Sequence, residues 1–274
     1  YRIMYNLKII KSGNRIEIYK VNNYLIRNSI PELKDDKKEN LEKKDKVNDK
    51  TSNDSRQCSK DRSRALRDAR NNIIRLIRCN PDMTVFITLT FKKEHDYKNS
   101  KKCLNNSFTK LRRDYKGLKY LWVMEYGDKN GRLHFHVLCN IPININLAST
   151  REKKSLEHKQ LERDFENKYW NYGFVYIREL QQEDNTNIAL YVSVYITKAM
   201  KDKNLEGYRI YGYSNRTLKK PIEEKLYSRE SIEEILRPYK NCKVKYSNIY
   251  PIGYTDFRGE HLGSVSYYDL EEDK

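Results

Sequence analysis

The chain has 274 residues, with 55 Lys+Arg against 38 Asp+Glu, a formal net charge of +17 and a pI near 9.4. Its 38% hydrophobic content suffices for one compact core, or one core with appendages, and its 34% charged content lets part of the chain stay unfolded. No run approaches the roughly 18–20 apolar residues of a spanning helix, and none has the make-up of a signal peptide; five scattered cysteines without a CxxC argue against a disulfide framework or a cysteine zinc site.

These features point to a cytoplasmic protein with no membrane partner, and the charge points to a polyanion. The first residue is Tyr1, so an initiator Met or a short leader can lie upstream. Residues 3–26 read as a β-hairpin, with Leu7–Ile10 and Ile16–Val21 flanking the turn Ser12-Gly13-Asn14. Residues 31–60 hold nine Lys/Arg and eight Asp/Glu, with only Leu33, Leu41 and Val47 as large apolar residues. Such a polyampholyte buries too little to offset its ordering entropy and reads as a charged, flexible linker. It contributes only +1, so the excess charge lies elsewhere.

Structure is expected to resume at Asp61. Leu66, Ala69, Ile73, Leu76 and Ile77 recur at helical spacing, and Asn80-Pro81 stops the pattern. Arg62, Arg64, Arg67, Arg70, Arg75 and Arg78 fill much of the rest, either as a phosphate-contacting face or as a solvated one. Val85–Phe91 is a core strand, residues 99–116 a helix ending at Gly117, and Tyr120–Tyr126 and Arg132–Cys139 two strands joined by the turn Gly127–Gly131. A charged helix over 151–170 and a strand over Gly173–Arg178 follow. This order suits an α+β fold with helices packed on an antiparallel sheet. Residues 222–274 form a C-terminal extension whose role the pattern does not define.

His134-Phe-His136 lies inside a strand pattern, so both imidazoles project from one face. Across the expected hairpin stands Glu125, a carboxylate that needs water, a cation or a hydrogen-bond partner. Two histidines and a glutamate form a three-ligand set with open positions, better suited to Mg²⁺ or Mn²⁺ than to structural zinc. Further on, Tyr191, Tyr195 and Lys198 share one face if residues 187–200 are helical, with Ala189, Val192, Ile196 and Ala199 as a separate apolar stripe. The alternation Val192, Val194, Ile196 also fits a strand. With 23 tyrosines, the spacing of one pair proves nothing. His95, His158 and His261 read as surface residues, Cys79 and Cys139 as buried thiols, and Tyr208, Tyr211 and Tyr213 as strand tyrosines rather than base-stacking ones.

In order, the strand ending Leu-Thr-Phe91, Glu125, Gly131-Arg-Leu-His134-Phe-His136 and Tyr191-x3-Tyr195-x2-Lys198 resemble the motifs of the HUH endonucleases, in particular rolling-circle replication initiators of bacterial plasmids and phages. The Arg-rich helix and Tyr208–Arg216 followed by Pro221 look similar to that group as well, so the resemblance covers about 61–221. It implies a ferredoxin-like or RRM-like sheet with the histidine strand central. It also implies Mg²⁺ or Mn²⁺ held by Glu125, His134 and His136, and attack by tyrosine on a scissile phosphate to leave a 5′-phosphotyrosine and a free 3′-OH.

Tyr195, in Tyr-x-x-Lys, matches the single-tyrosine nucleophile, with Lys198 stabilising charge; Tyr191 matches the second tyrosine of two-tyrosine members. Val194 stands where some of those carry a further Lys. The implied partners are single-stranded DNA at a hairpin-bearing origin and the host replication helicase and polymerase. Two other readings stay open. One is a non-enzymatic single-strand binder, which leaves Glu125 and the histidine pair unexplained. The other is a small relaxase or transposase, although relaxases usually carry a third histidine.

Overall fold

The computed structural model describes residues 4–23, 25–27, 52–127, 131–148, 152–180, 185–205, 207–255 and 261–273. In chain order the elements are β1 (Met4–Tyr5), β2 (Leu7–Ser12), β3 (Arg15–Asn22), β4 (Ile26–Arg27), α1 (Ser52–Cys79), β5 (Val85–Phe91), α2 (Tyr97–Asp114), β6 (Tyr120–Tyr126), β7 (Leu133–Cys139), α3 (Leu156–Tyr169), β8 (Gly173–Glu179), α4 (Asn185–Lys201), β9 (Tyr211–Tyr213), β10 (Ile222–Leu226), α5 (Ile232–Leu236), β11 (Lys243–Thr255) and β12 (His261–Glu271). The expected linker at 31–60 lies outside the described residues as far as Thr51. From Ser52 onward the chain is already helical, nine residues before the expected start. Among the described residues no helix is long and apolar enough to cross a membrane.

The chain divides into two compact units, Tyr1–Arg64 with Pro221–Lys274, and Ala65–Lys220. In the first, five antiparallel strands run in the order β10-β2-β3-β12-β11. The N-terminal hairpin and the C-terminal residues, read separately in the sequence, thus share one sheet. Leu7, Ile9, Ile16, Ile18 and Leu270 form its apolar cluster with Ile235 of α5. A capping box starts α5: Glu234 N donates to Ser231 Oγ and Ser231 N to the Glu234 carboxylate.

The second unit carries a five-stranded antiparallel sheet in the order β8-β5-β7-β6-β9. The sequence β5-α2-β6-β7-α3-β8 with this strand order is the ferredoxin-like arrangement, extended by β9 beyond β6. The fold is α+β as expected, and the histidine strand β7 is the middle strand. Helices α2 and α3 each begin where a short polar side chain takes up an orphan amide. Asn99 N donates to Asp96 at the start of α2, and His158 N donates to Ser155 at the start of α3. Buried Asn80 follows the last turn of α1; its amide donates to Leu76 O and Lys219 O and accepts from Lys219 N.

The core places Phe91, Phe135 and Trp170 together, with the indole N–H donating to Thr90 O at 3.1 Å. Burial pushes the Cys139 thiol up to about 12, which keeps it an inert core group, whereas Cys79 is half-buried rather than buried as expected. At Gly173, the first residue of β8, a Cβ would collide with the Thr90 carbonyl and the Lys92 amide of β5 and the turn after it. Both are backbone atoms and cannot step aside. Gly173→Ala is therefore expected to destabilise the fold by about 1–3 kcal/mol, read as a lower urea midpoint at unchanged slope.

His158 corrects the surface reading. It is fully buried, its Nε2 is 3.0 Å from Ile177 O, and its Nδ1 accepts from Ala148 N. Glu162 and Glu166, at four-residue steps along α3, accept from the Ile177 and Val175 amides of β8. These side chains satisfy the outer edge of β8, which polar sequence neighbours alone do not reveal.

Candidate active site on the central sheet

Directly opposed residues of adjacent strands share a face, so the register defines rows across the sheet. One row runs Phe174 (β8), Thr90 (β5), His134 (β7) and Glu125 (β6). The next runs Tyr176, Thr88, His136 and Val123. The expectation that both imidazoles project from one face holds, and Glu125 lies directly opposite His134.

Glu125 is 6% exposed, and its Oε1 accepts from His136 Nε2 at 3.0 Å. Lys198 Nζ lies 3.5 Å from the same oxygen. Its other oxygen, Oε2, is buried with no hydrogen-bond partner. A buried carboxylate oxygen left unpaired costs desolvation energy, which marks a place for a donor or a cation.

Each histidine has its Nδ1 beside a threonine hydroxyl, His136 at 3.1 Å from Thr88 and His134 at 2.8 Å from Thr90. A hydroxyl can donate to Nδ1 or accept from it, so either imidazole tautomer finds a partner there. Burial first, then the neighbouring His136, holds the His134 pKa below the ordinary histidine value, favouring a neutral ring with a lone pair. Against that ring sits Gly127, where a Cβ would overlap His134 Nε2, so only glycine leaves this nitrogen clear. The ring centroids of His134 and His136 are 6.5 Å apart. Among the described residues no three His, Cys, Asp or Glu side chains are gathered closely enough to form a metal cluster.

Residues 187–200 lie within α4, which resolves the helix-or-strand ambiguity in favour of helix. Ala189, Val192, Ile196 and Ala199 are buried as the apolar stripe, and α4 packs against β6. On another face, the Tyr191 and Tyr195 hydroxyls are 2.8 Å apart. The Tyr195 ring lies 4.0 Å from the His136 ring, and Phe86 of β5 contacts both tyrosines at 5.3 and 5.6 Å. Tyr191 is the more exposed of the two. Burial, reinforced by the hydrogen bond to Tyr191, pushes the Tyr195 phenol well above the ordinary tyrosine range.

The structure thus brings Glu125, His136, Tyr191, Tyr195 and Lys198 together, with His134 beside them. The helix arginines stand apart in kind: Arg64 and Arg67 belong to the exposed or undescribed side of α1, Arg70, Arg75 and Arg78 are half-buried, and the Arg62 side chain lies outside the described residues. The reading of the sequence missed Thr88, Thr90 and Phe86. Their signal is the alternation in Val85-Phe-Ile-Thr-Leu-Thr-Phe91, which puts these three on one face.

The second unit is therefore a ferredoxin-like domain whose central strand presents two histidines to a glutamate and a tyrosine-bearing helix. Residues 84–200 match the family model of the replication-associated protein ORF2. Replication-associated protein ORF2 of Spiroplasma virus 4 is 29% identical over 147 residues, 49% of this chain. The match covers 44% of that relative, so the chain spans less than half its length. No solved structure matches the chain. The matched region holds Glu125, both histidines, both tyrosines and Lys198, and its similarity is to viral replication-associated proteins.

Proposed function

We propose that this chain is a rolling-circle replication initiator of the HUH type, a divalent-cation-dependent enzyme that nicks and rejoins single-stranded DNA at an origin. The observation that carries the reading is the unpartnered Glu125 Oε2, buried beside His136 and under the tyrosine pair. An orphan carboxylate oxygen, a neutral His134 kept clear by Gly127, and His136 form an oxygen–nitrogen donor set that fits Mg²⁺ or Mn²⁺. Glu125, His134 and His136 would hold the ion, which when bound supplies Lewis-acid polarisation of the scissile phosphate.

The other residues then have defined tasks. The Tyr195 oxygen attacks phosphorus, an O–P bond to Tyr195 forms and the P–O3′ bond breaks. The phenol proton departs toward Tyr191, 2.8 Å away, and the O3′ leaving group takes a proton from water. Lys198, beside Glu125, lies where its charge counters that developing on the phosphate. The phosphodiester energy stays in the tyrosine ester, so rejoining needs no nucleotide cofactor. Tyr191 is the second nucleophile for the closing transfer. Single-stranded origin DNA is the substrate, and the 3′-OH is the primer for host helicase and polymerase.

The test incubates the purified chain and Mn²⁺ with single-stranded oligonucleotides tiling its own replicon, then separates covalent adducts on a denaturing gel. Expected is one adduct carrying the 5′ end of the cleaved fragment, with the linked residue identified by mass spectrometry. Absence of an adduct on every segment, with DNA binding intact, overturns the proposal. Thr88→Val and Thr90→Val keep the side-chain shape but remove the group that orients each Nδ1. Each is expected to weaken Mn²⁺ binding by about 10- to 100-fold in calorimetry, with circular dichroism unchanged.

A further inference from the structure

Next to the site the sheet ends in β8, and its exposed face is chemically unlike an ordinary edge. Phe174 is 51% exposed although it stands in the same row as Thr90, His134 and Glu125. A single exposed aromatic is ordinary on a protein surface. Here, however, the neighbouring cations are arranged around it. Lys92 Nζ lies 5.6 Å from the Phe174 ring centre. Two residues along, the Tyr176 ring holds the Arg178 guanidinium at 4.3 Å and Lys154 at 3.7 Å. Lys154 is also anchored by the Glu162 carboxylate at 2.6 Å. Arg178 pairs in register with Phe86, the residue that contacts both tyrosines.

Two kinds of partner can be separated on these observations. A peptide strand would add to the free edge of β8 through backbone hydrogen bonds. That edge is taken, because Glu162, Glu166 and His158 of α3 already satisfy Ile177 and Val175. Recognition must therefore occur on the face. An accessible ring at one end and a guanidinium held in place at the other, about 13 Å apart along the strand, suit an unpaired polynucleotide. The ring takes the face of a base and the cation takes a phosphate. A duplex keeps its base faces stacked internally and offers Phe174 nothing.

We infer that the face of β8 is a track for the single DNA strand beside the scissile phosphate, with Phe174 stacking on a base and Arg178 contacting the backbone. The inference rests on the proposed function and locates the substrate on this protein. Tyr176 is a positioning residue that holds Arg178.

The test measures fluorescence anisotropy of a labelled single-stranded origin oligonucleotide without divalent ions, so that no cleavage intervenes. Phe174→Ala is expected to weaken binding by about tenfold with an unchanged salt slope, and Phe174→Tyr to restore it. Arg178→Gln is expected to weaken binding and to lower the slope of log K against log salt by about 0.7, the value for one lost phosphate contact. Duplex affinity should not respond to Phe174→Ala. Unchanged single-strand affinity in Phe174→Ala, with circular dichroism intact, overturns the track, as does an equal loss for duplex. Adduct formation is scored separately. A wild type that forms adduct while both variants bind normally keeps the proposed function and rejects the track. A wild type that never forms adduct while the variants lose binding does the reverse.

Discussion

Tyr195→Phe is expected to abolish the covalent protein–DNA adduct, with single-turnover cleavage falling by about 10⁴-fold or more, the scale seen when a nucleophile is removed. The substitution deletes one oxygen and keeps the ring. The contacts of that ring with His136 and Phe86 are retained, so structure and DNA binding should be unchanged. Tyr191→Phe separates the two roles. It should leave the first cleavage largely intact and stop the second transfer, so the adduct accumulates and joined product does not form. The reverse pattern would make Tyr191 the first nucleophile. A weak adduct in Tyr195→Phe that maps to Tyr191 would show that the partner 2.8 Å away can substitute, and the double variant should then form none. Because burial holds the Tyr195 phenol above the usual range, the phenolate is scarce at neutral pH. The cleavage rate should therefore rise with pH through the neutral range, and Tyr195→Phe should remove that rise together with the activity.

His136→Ala carries the second-largest expected effect. Its Nε2 is the contact of Glu125 and its ring supports Tyr195, so one substitution removes a proposed ligand and loosens the nucleophile. Cleavage should fall by several kcal/mol of transition-state stabilisation, on the order of 10³-fold, and Mn²⁺ heats should vanish in calorimetry. Chelation of the wild type should reproduce the loss, and added Mn²⁺ should reverse it. His136→Ala that still cleaves with normal Mn²⁺ dependence would place the ion elsewhere. A wild type that binds DNA but shows no Mn²⁺ heat would favour the non-enzymatic reading. Single-strand affinity without divalent ions should be the same in variant and wild type, which distinguishes loss of chemistry from loss of fold.

Much of the second unit was legible in the sequence because its signals are local. Tyr120–Tyr126 coincides with β6, and the remaining expected strands differ from the observed ones by a residue or two at their ends. The period-two pattern around His134 and His136 also implied a shared face, and the register of β6 and β7 places Glu125 there. His158 failed the same kind of reading. Its neighbours Glu157, Lys159 and Gln160 are polar, yet it is fully buried because α3 uses polar side chains to satisfy the edge of β8. No hydropathy pattern encodes that, since the partner atoms belong to a strand more than ten residues away. The first unit was less legible still. Its sheet joins residues near the two ends of the chain, and neither hairpin nor tail reports which strand will pair with it.

What the sequence determined alone was the inventory: a basic chain, a central strand with two histidines, a glutamate opposite it, and two tyrosines with a lysine at helical spacing. These follow from side-chain period and turn chemistry, which act over a few residues. What only the tertiary structure decided was which of them meet. Packing the apolar stripe of α4 on the sheet brings Tyr195 against His136 and Lys198 to Glu125, and it leaves one carboxylate oxygen without a partner. The physical reason is that burial and long-range pairing, rather than residue type, set which polar groups are desolvated together, and a charge of +17 is blind to that.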